Sequence, residues 1–291
     1  MDFILFLQAL INGLLLGGLL GLVAAGLTLV FGVLKIINFS HGSLLMLGMY
    51  SSYWLFKLCG VDPYLSVLII SPLFFLAGFL IQKLLINKII NAPPYNQLLF
   101  TLGLALFIDN MSAAIWSPDS RGIKLSYTGE GITLGSIEIA YTRVIMFVCA
   151  FIVMGGIYII LKKTNVGKAI RATSQEKEGS LAVGINVKTI YCVTFGIGSS
   201  CAGVAGSLLI PLFYVSPYVG NVFVLTAFVV VVLGGMGNFM GAFLGGLIIG
   251  IIEAFGALLL PGTLKTAITF IIFILILLFK PSGILGKKEI G

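Results

Sequence analysis

From Phe3 to Leu34 the chain carries no charged side chain. Further apolar runs follow at about Gly42 to Leu58, Tyr64 to Leu84, Gln97 to Trp116, Arg143 to Leu161, Ile190 to Leu212, Val222 to Leu233, Phe239 to Leu260 and Leu264 to Phe279. Each run but Val222 to Leu233 is long enough to cross ~30 Å of hydrocarbon as a helix. A helix also satisfies its own backbone groups where water is absent. The exception stops at Gly234-Gly235-Met236-Gly237-Asn238 and reads as a half-helix, a re-entrant segment or one arm of a tight hairpin. With 59% hydrophobic and 9% charged residues, an ordinary soluble domain is excluded. The expected fold is an all-α polytopic membrane protein, a single domain over residues 1–291 with about 8–9 transmembrane helices.

Charge orients the bundle. The segment Lys162 to Lys188 holds six of the seventeen Lys and Arg residues (Lys162, Lys163, Lys168, Arg171, Lys177, Lys188) against Glu176 and Glu178. By the positive-inside rule it faces the cytoplasm. An even number of crossings then places the tail with Lys280, Lys287 and Lys288 inside as well, and Met1 outside. Twelve of the seventeen basic residues fall on segments assigned to the cytoplasmic side, so the net charge of +7 reports orientation, not nucleic-acid binding. The first residues, Met-Asp-Phe-Ile-Leu, lack the basic region and cleavage site of a signal peptide, and the first run is expected to stay as a membrane helix.

Within the basic loop, Thr173 and Glu176 have capping-box spacing and Gly184 stands where a helix would end. The pattern predicts one helix of roughly ten residues, about 15 Å. Its buried face is Leu181, Ala182, Val183 and Ile185, too little for a span and enough for a groove on another protein. The competing reading is a solvated loop between two spans. On the opposite side, residues 117–142 alternate Ile123, Leu125, Tyr127, Ile132, Leu134, Ile137, Ile139 and Tyr141 with polar residues, punctuated by glycines. Period two with glycine turns predicts a small external β-hairpin. It serves either as a lid on its own bundle or as a docking surface for an external delivery protein.

Two junctions of apolar runs carry Asn-Phe, at Asn38-Phe39-Ser40-His41-Gly42 and Gly237-Asn238-Phe239-Met240-Gly241, 200 residues apart (238 − 38). The pair reads as a weak internal repeat of broken helices at a pathway. Broken backbone at membrane depth needs polar partners, which Asn38, Ser40, His41 and Asn238 offer. Gly13, Gly17 and Gly21, and Gly237, Gly241 and Gly245, recur every fourth residue, the spacing of close helix packing. His41 is the lone histidine and cannot build a metal site by itself; it reads as a helix cap or hinge, or as a substrate contact. Asp109 and Glu253 lie well inside apolar runs, where a charge costs ~3 kcal/mol at a helix centre. They either shape a polar vestibule that meets a substrate ammonium or pair with Arg143, Lys265 or headgroups. The four cysteines show no paired spacing and read as small apolar fillers. Gly167-Lys168 is followed by Ala169 and lacks the upstream glycine of a phosphate-binding loop, so no ATP site is expected on this chain.

Three of these stretches carry a family resemblance. Ile37-Asn38-Phe39-Ser40-His41-Gly42 with Met46 to Tyr50, Gly234 to Ala242 with Gly245-Gly246, and Arg171 to Asn186 together resemble the permease subunits of branched-chain amino-acid ABC importers, the hydrophobic amino-acid uptake family. Gly179 and Val183 stand where that family more often has Ala and Leu. The resemblance implies a cytoplasmic coupling helix that docks on an ATPase through Arg171, Thr173, Glu176, Leu181, Ala182, Val183 and Gly184. Implied partners are a second homologous permease subunit, two cytoplasmic ATP-binding-cassette ATPases and an external solute-binding protein, in a bacterial or archaeal cell membrane. ATP and Mg would sit on the partner subunits, with no cofactor and no metal on this chain. Relatives of this type carry branched-chain and other amino acids, short amides or urea. The alternative from another class is a stand-alone secondary transporter or channel coupled to an ion through Asp109 or Glu253.

Overall fold

A computed structural model describes residues 3–259, 264–280 and 283–286. Lys287 and Lys288 of the basic tail, Leu260 and the side chain of Lys265 lie outside the described residues. In chain order the helices are α1 (Phe3–Leu34), α2 (Ser40–Cys59), α3 (Pro63–Leu84), α4 (Pro94–Trp116), α5 (Tyr141–Lys163), α6 (Asn165–Gln175), α7 (Lys177–Ala182), α8 (Val187–Leu209), α9 (Gly220–Gly234), α10 (Phe239–Leu259) and α11 (Leu264–Phe279). Strands β1 (Gly131–Leu134) and β2 (Ile137–Ala140) lie between α4 and α5. Among the described residues, α1, α3, α4, α5, α8 and α10 are long and apolar enough to cross a membrane. The more polar α2 and the shorter α9 and α11, also among the described residues, pack with these six, which are fewer than the 8–9 spans expected from the apolar runs.

Helix ends follow local chemistry. Gly60 closes α2 with φ +67, a left-handed conformation that costs glycine little. The Asp62 carboxylate then caps α3, accepting from the Tyr64 N–H at 2.9 Å, with Pro63 in the first turn. α1 and α8 are the most buried spans; α8 is the least apolar of the six, and its Thr194, Ser199 and Ser207 are buried inside the bundle. At 32 residues α1 is about 48 Å long.

α1 and α10 run antiparallel on a glycine seam. Gly13 lies on Gly250 and Ile251, Gly17 on Gly246 and Leu247, and Gly21 on Phe243; a Cβ on Gly13 would come 2.8 Å from Ile251 Cα. Small residues let two backbones approach where apolar burial alone gives no preference over lipid. α10 has a second glycine face toward α9, where Gly241 meets Gly234, and a Cβ on Gly245 would lie 2.8 Å from the Val230 carbonyl. Gly237 belongs to neither seam, because it sits in the turn before α10 at φ +85.

The contacts define two faces. Gln8 of α1 donates to the Glu138 carbonyl at 3.4 Å, so the start of α1 and the hairpin share one face. Ser174 of α6 donates to the Gly32 carbonyl at 3.0 Å, so the end of α1 and the basic segment share the other. The short run from Val222 leads from the hairpin face toward the α6 face. It forms α9, 15 residues and about 22 Å. The linker that feeds α9 pairs Val215 with Arg121 on the hairpin face, and α9 ends at Gly234 near the α6 face.

The hairpin is smaller than the alternation suggests. β1 and β2 pair antiparallel from Gly131↔Ala140 to Leu134↔Ile137 around a two-residue turn with Gly135 at φ +65, the conformation such turns require. Ile123 and Leu125 are buried in the bundle instead of extending the sheet. Tyr127 donates its hydroxyl to Asp62 at 2.6 Å. Burial raises the Tyr127 pKa, and the hydrogen bond and charge of Asp62 raise it further, so the phenol stays protonated. Tyr127→Phe is expected to leave insertion intact but loosen this cap by about 1.5–3 kcal/mol, the range for a hydrogen bond to a charged group. Faster proteolysis within 117–130 checks it, and an unchanged rate counts against the tie.

Candidate functional site

At the first break the chain leaves α1 through Lys35 at φ +58 and starts α2 at Ser40. Asn38 is buried, and its Oδ1 accepts from the Ser40 N–H at 3.1 Å and the Ser40 hydroxyl at 2.6 Å, which satisfies the opening turn of α2. Thr101 of α4 donates to the Ile37 carbonyl at 2.9 Å and accepts from the Phe39 N–H at 3.4 Å. The Phe39 ring tilts against Phe228 of α9 at 5.1 Å. His41 is fully buried, and its Nε2–H donates to the Val23 carbonyl of α1 at 3.0 Å. That makes His41 a tie between α2 and α1, not a cap. Its Nδ1 has no partner.

Asp109 joins this cluster from α4. It is buried, its carboxylate reaches the side chains of Ser43 on α2 and Asn221 on α9, and its Oδ1 has no partner. Arg143, the partner weighed for it, lies instead in a cavity on the hairpin face. Glu253 is half-buried on α10. Gly42 faces Gly220 so closely that a Cβ on either would overlap the other's backbone. Three helices thus converge, and the starts of α2 and α9 abut.

The second break is built by the same device. The Asn238 Oδ1 accepts from the Gly241 N–H at 3.0 Å and caps α10, while its Nδ2 donates to the Leu285 carbonyl at 2.8 Å. Gly237 donates to the Thr28 hydroxyl of α1 at 3.1 Å. The tail closes over the turn, with the Ile284 N–H donating to the Leu233 carbonyl at 2.7 Å. The two Asn-Phe breaks are not in one cluster. They are linked by α9, which touches Gly42 with its first residue and Gly241 with its last. A lone glycine outside the apolar run gave Gly220 no sequence signal.

The basic segment holds two helices instead of one. Thr164 caps α6, accepting from the Gly167 N–H at 3.0 Å, and the helix runs through Thr173 to Gln175. Thr173 is therefore the buried end of α6, with its hydroxyl unpartnered, and not the cap of a later helix. Glu176 is itself the cap of α7, accepting from the Glu178 N–H at 3.3 Å, and Gly184 follows that helix at φ +82. Arg171, exposed on α6, folds back along the segment and donates to the Leu161 carbonyl of α5. Leu181 and Val183 are 54% and 76% exposed and Ala182 is exposed, whereas Ser180 is buried and donates to the Glu176 carbonyl at 2.8 Å. A continuous set of contacts runs from this segment to the second break: α7 follows α6, Ser174 holds Gly32, and Gly32 abuts Gly237. Among the described residues no cluster of His, Cys, Asp or Glu is placed to hold a metal.

Residues 9–277 match the family described as branched-chain amino acid transport system / permease component. The chain is 32% identical to the high-affinity branched-chain amino acid transport system permease protein BraD of Pseudomonas aeruginosa, over 98% of this chain and 97% of that one. It is 31% identical to the LivH permease of Salmonella typhimurium, over 99% and 98%. Against the probable LivH permease of Methanocaldococcus jannaschii the identity is 30%, over 94% and 91%. No solved structure gives a significant match. Motifs at both breaks, a bundle of membrane-length helices and near full-length similarity agree, and the chain belongs to the branched-chain amino acid transport permease family.

Proposed function

We propose that this protein is the transmembrane permease of an ATP-binding-cassette importer that carries a branched-chain or related amino acid into the cytoplasm. The observation that carries the reading is the pair of exposed apolar side chains, Leu181 and Val183, at the C-terminal end of a capped helix outside the spans. A polytopic protein with no partner for that face has no reason to keep it apolar. A groove on a cytoplasmic ATPase gives it one. By the positive-inside rule the α6 and α7 face is cytoplasmic and the hairpin face external.

In this mechanism an external binding protein delivers the solute to the hairpin face, and ATP binding closes two ATPases beneath α7. The motion passes through α6 and Ser174 to Gly32, then to the turn at Gly237 and into α9. Because α9 also abuts Gly42 beside Asp109, a shift at its inner end repacks the first break. A bundle of tight backbone contacts switches between discrete arrangements more readily than it bends. The chain's own part is the gate and its linkage, with ATP chemistry left to the partners.

A tagged copy purified in mild detergent is expected to bring down two ATPases and a second permease. Stripped of those chains, it should neither bind nor hydrolyse ATP. Specific ATPase activity in a preparation proven free of other chains would overturn the assignment.

A further inference from the structure

On the hairpin face, α1, the β-hairpin and the start of α5 enclose a cavity of about 360 Å³, at the small end of the roughly 300–1,000 Å³ range for ligand sites. Gln8, Asn12, Glu130, Glu138, Ile139 and Arg143 line it. Arg143 is half-buried and, among the described residues, makes no ion pair or hydrogen bond, although two carboxylates line the same space. An unpaired guanidinium withdrawn from water is costly. Arg143 also sits in the first turn of α5, where unpaired N–H groups add positive potential. One wall therefore lacks an anion, the rim holds Glu130 and Glu138, and Ile139 supplies an apolar surface beside them.

We propose that this cavity is an external holding site for one amino-acid zwitterion. The Arg143 guanidinium pairs with the α-carboxylate, Glu130 and Glu138 take the α-ammonium, and Ile139 lies along an aliphatic side chain. Guanidinium and carboxylate match in a two-bond fork. Both charged ends of the solute are required, so molecules with only one are excluded. The site deepens the importer reading and rests on it: it gives the solute a station on this chain between the binding protein and the first break. Gln8 donating to the Glu138 carbonyl fastens the hairpin as its roof.

The test uses membrane vesicles containing the assembled transporter. Cys59→Ser removes the exposed native thiol, and Thr133→Cys places a reporter in the cavity wall. Labelling by an impermeant maleimide is timed with L-leucine, 4-methylpentanoate or 3-methylbutylamine. Saturating L-leucine is expected to slow labelling at least about threefold, as two-thirds occupancy of a mass-action site dictates. The half-molecules should not. R143Q and E138Q should each abolish the protection, and the exposed Glu138 can be changed without disturbing the fold. Vesicles that accumulate leucine with ATP yet show no protection would overturn the site, as would equal protection by either half-molecule or protection surviving in both variants. Failure of wild-type vesicles to take up any amino acid would instead overturn the importer reading.

Discussion

Leu181→Asp is expected to weaken association with the ATPase at least tenfold while leaving membrane insertion unchanged. Leu181 is 54% exposed in the isolated chain, so its burial is still available to a partner. Burying a leucine contributes ~1.5–3 kcal/mol, and a carboxylate there removes that gain and adds a desolvation cost. A loss of 1.4 kcal/mol is already one decade of affinity. Val183→Asp should behave alike. Ser180→Asp, next door, is no surface control. Ser180 is only 3% exposed and donates to the Glu176 carbonyl, a bond that a carboxylate cannot make. It should disrupt α7 itself. The proper mild control is Lys177→Gln, since Lys177 is exposed. Co-purification of a tagged ATPase with each variant reads the result, and equal recovery for Leu181→Asp and wild type would sink the coupling claim.

Gly42→Val is expected to abolish transport, and the reason is steric. The Gly42 Cβ position already overlaps the Gly220 carbonyl, and a Cβ on Gly42 would also come 2.8 Å from the Val224 Cβ. Backbone at a helix start cannot step aside as a flexible side chain does. The insertion of extra methyl groups into close packing costs ~1–3 kcal/mol and often more. Here it also drives α9 away from α2, withdrawing Asn221 from Asp109. Gly220→Val should reproduce the loss from the other side of the contact. Gly103→Val meets nothing within 4 Å and should be tolerated. Uptake at matched membrane levels checks all three, and wild-type uptake by Gly42→Val would show the contact to be passive.

Much of the bundle was legible because its signals are local. Unbroken apolar runs, and period-two alternation with glycine turns over 117–142, each specify their own few residues. Both Asn-Phe breaks were legible for the same reason, since an asparagine side chain satisfies the N–H groups that a new helix leaves open. Partnerships across the bundle were not. Asp109 gains its environment from Ser43 and Asn221, on helices far from it in sequence. The role of α9 rests on Gly220 and Gly234 meeting Gly42 and Gly241. In the basic segment the Thr173 to Glu176 spacing matched a capping box, yet that pattern carries no information on whether its threonine already ends another helix. Thr164, with Gly167 three residues on, was the competing start. Arg143 escaped notice as a site residue because its significance comes from a cavity closed by α1 and the hairpin.

The most direct test of the central claim is uptake of labelled leucine into vesicles containing this chain with the proposed second permease and ATPases, and the proposed binding protein outside. ATP on the ATPase side, an ion gradient alone, and neither are compared. Accumulation that needs ATP and the binding protein, and that Leu181→Asp removes, is the predicted result. Accumulation driven by an ion gradient with this chain alone would contradict it.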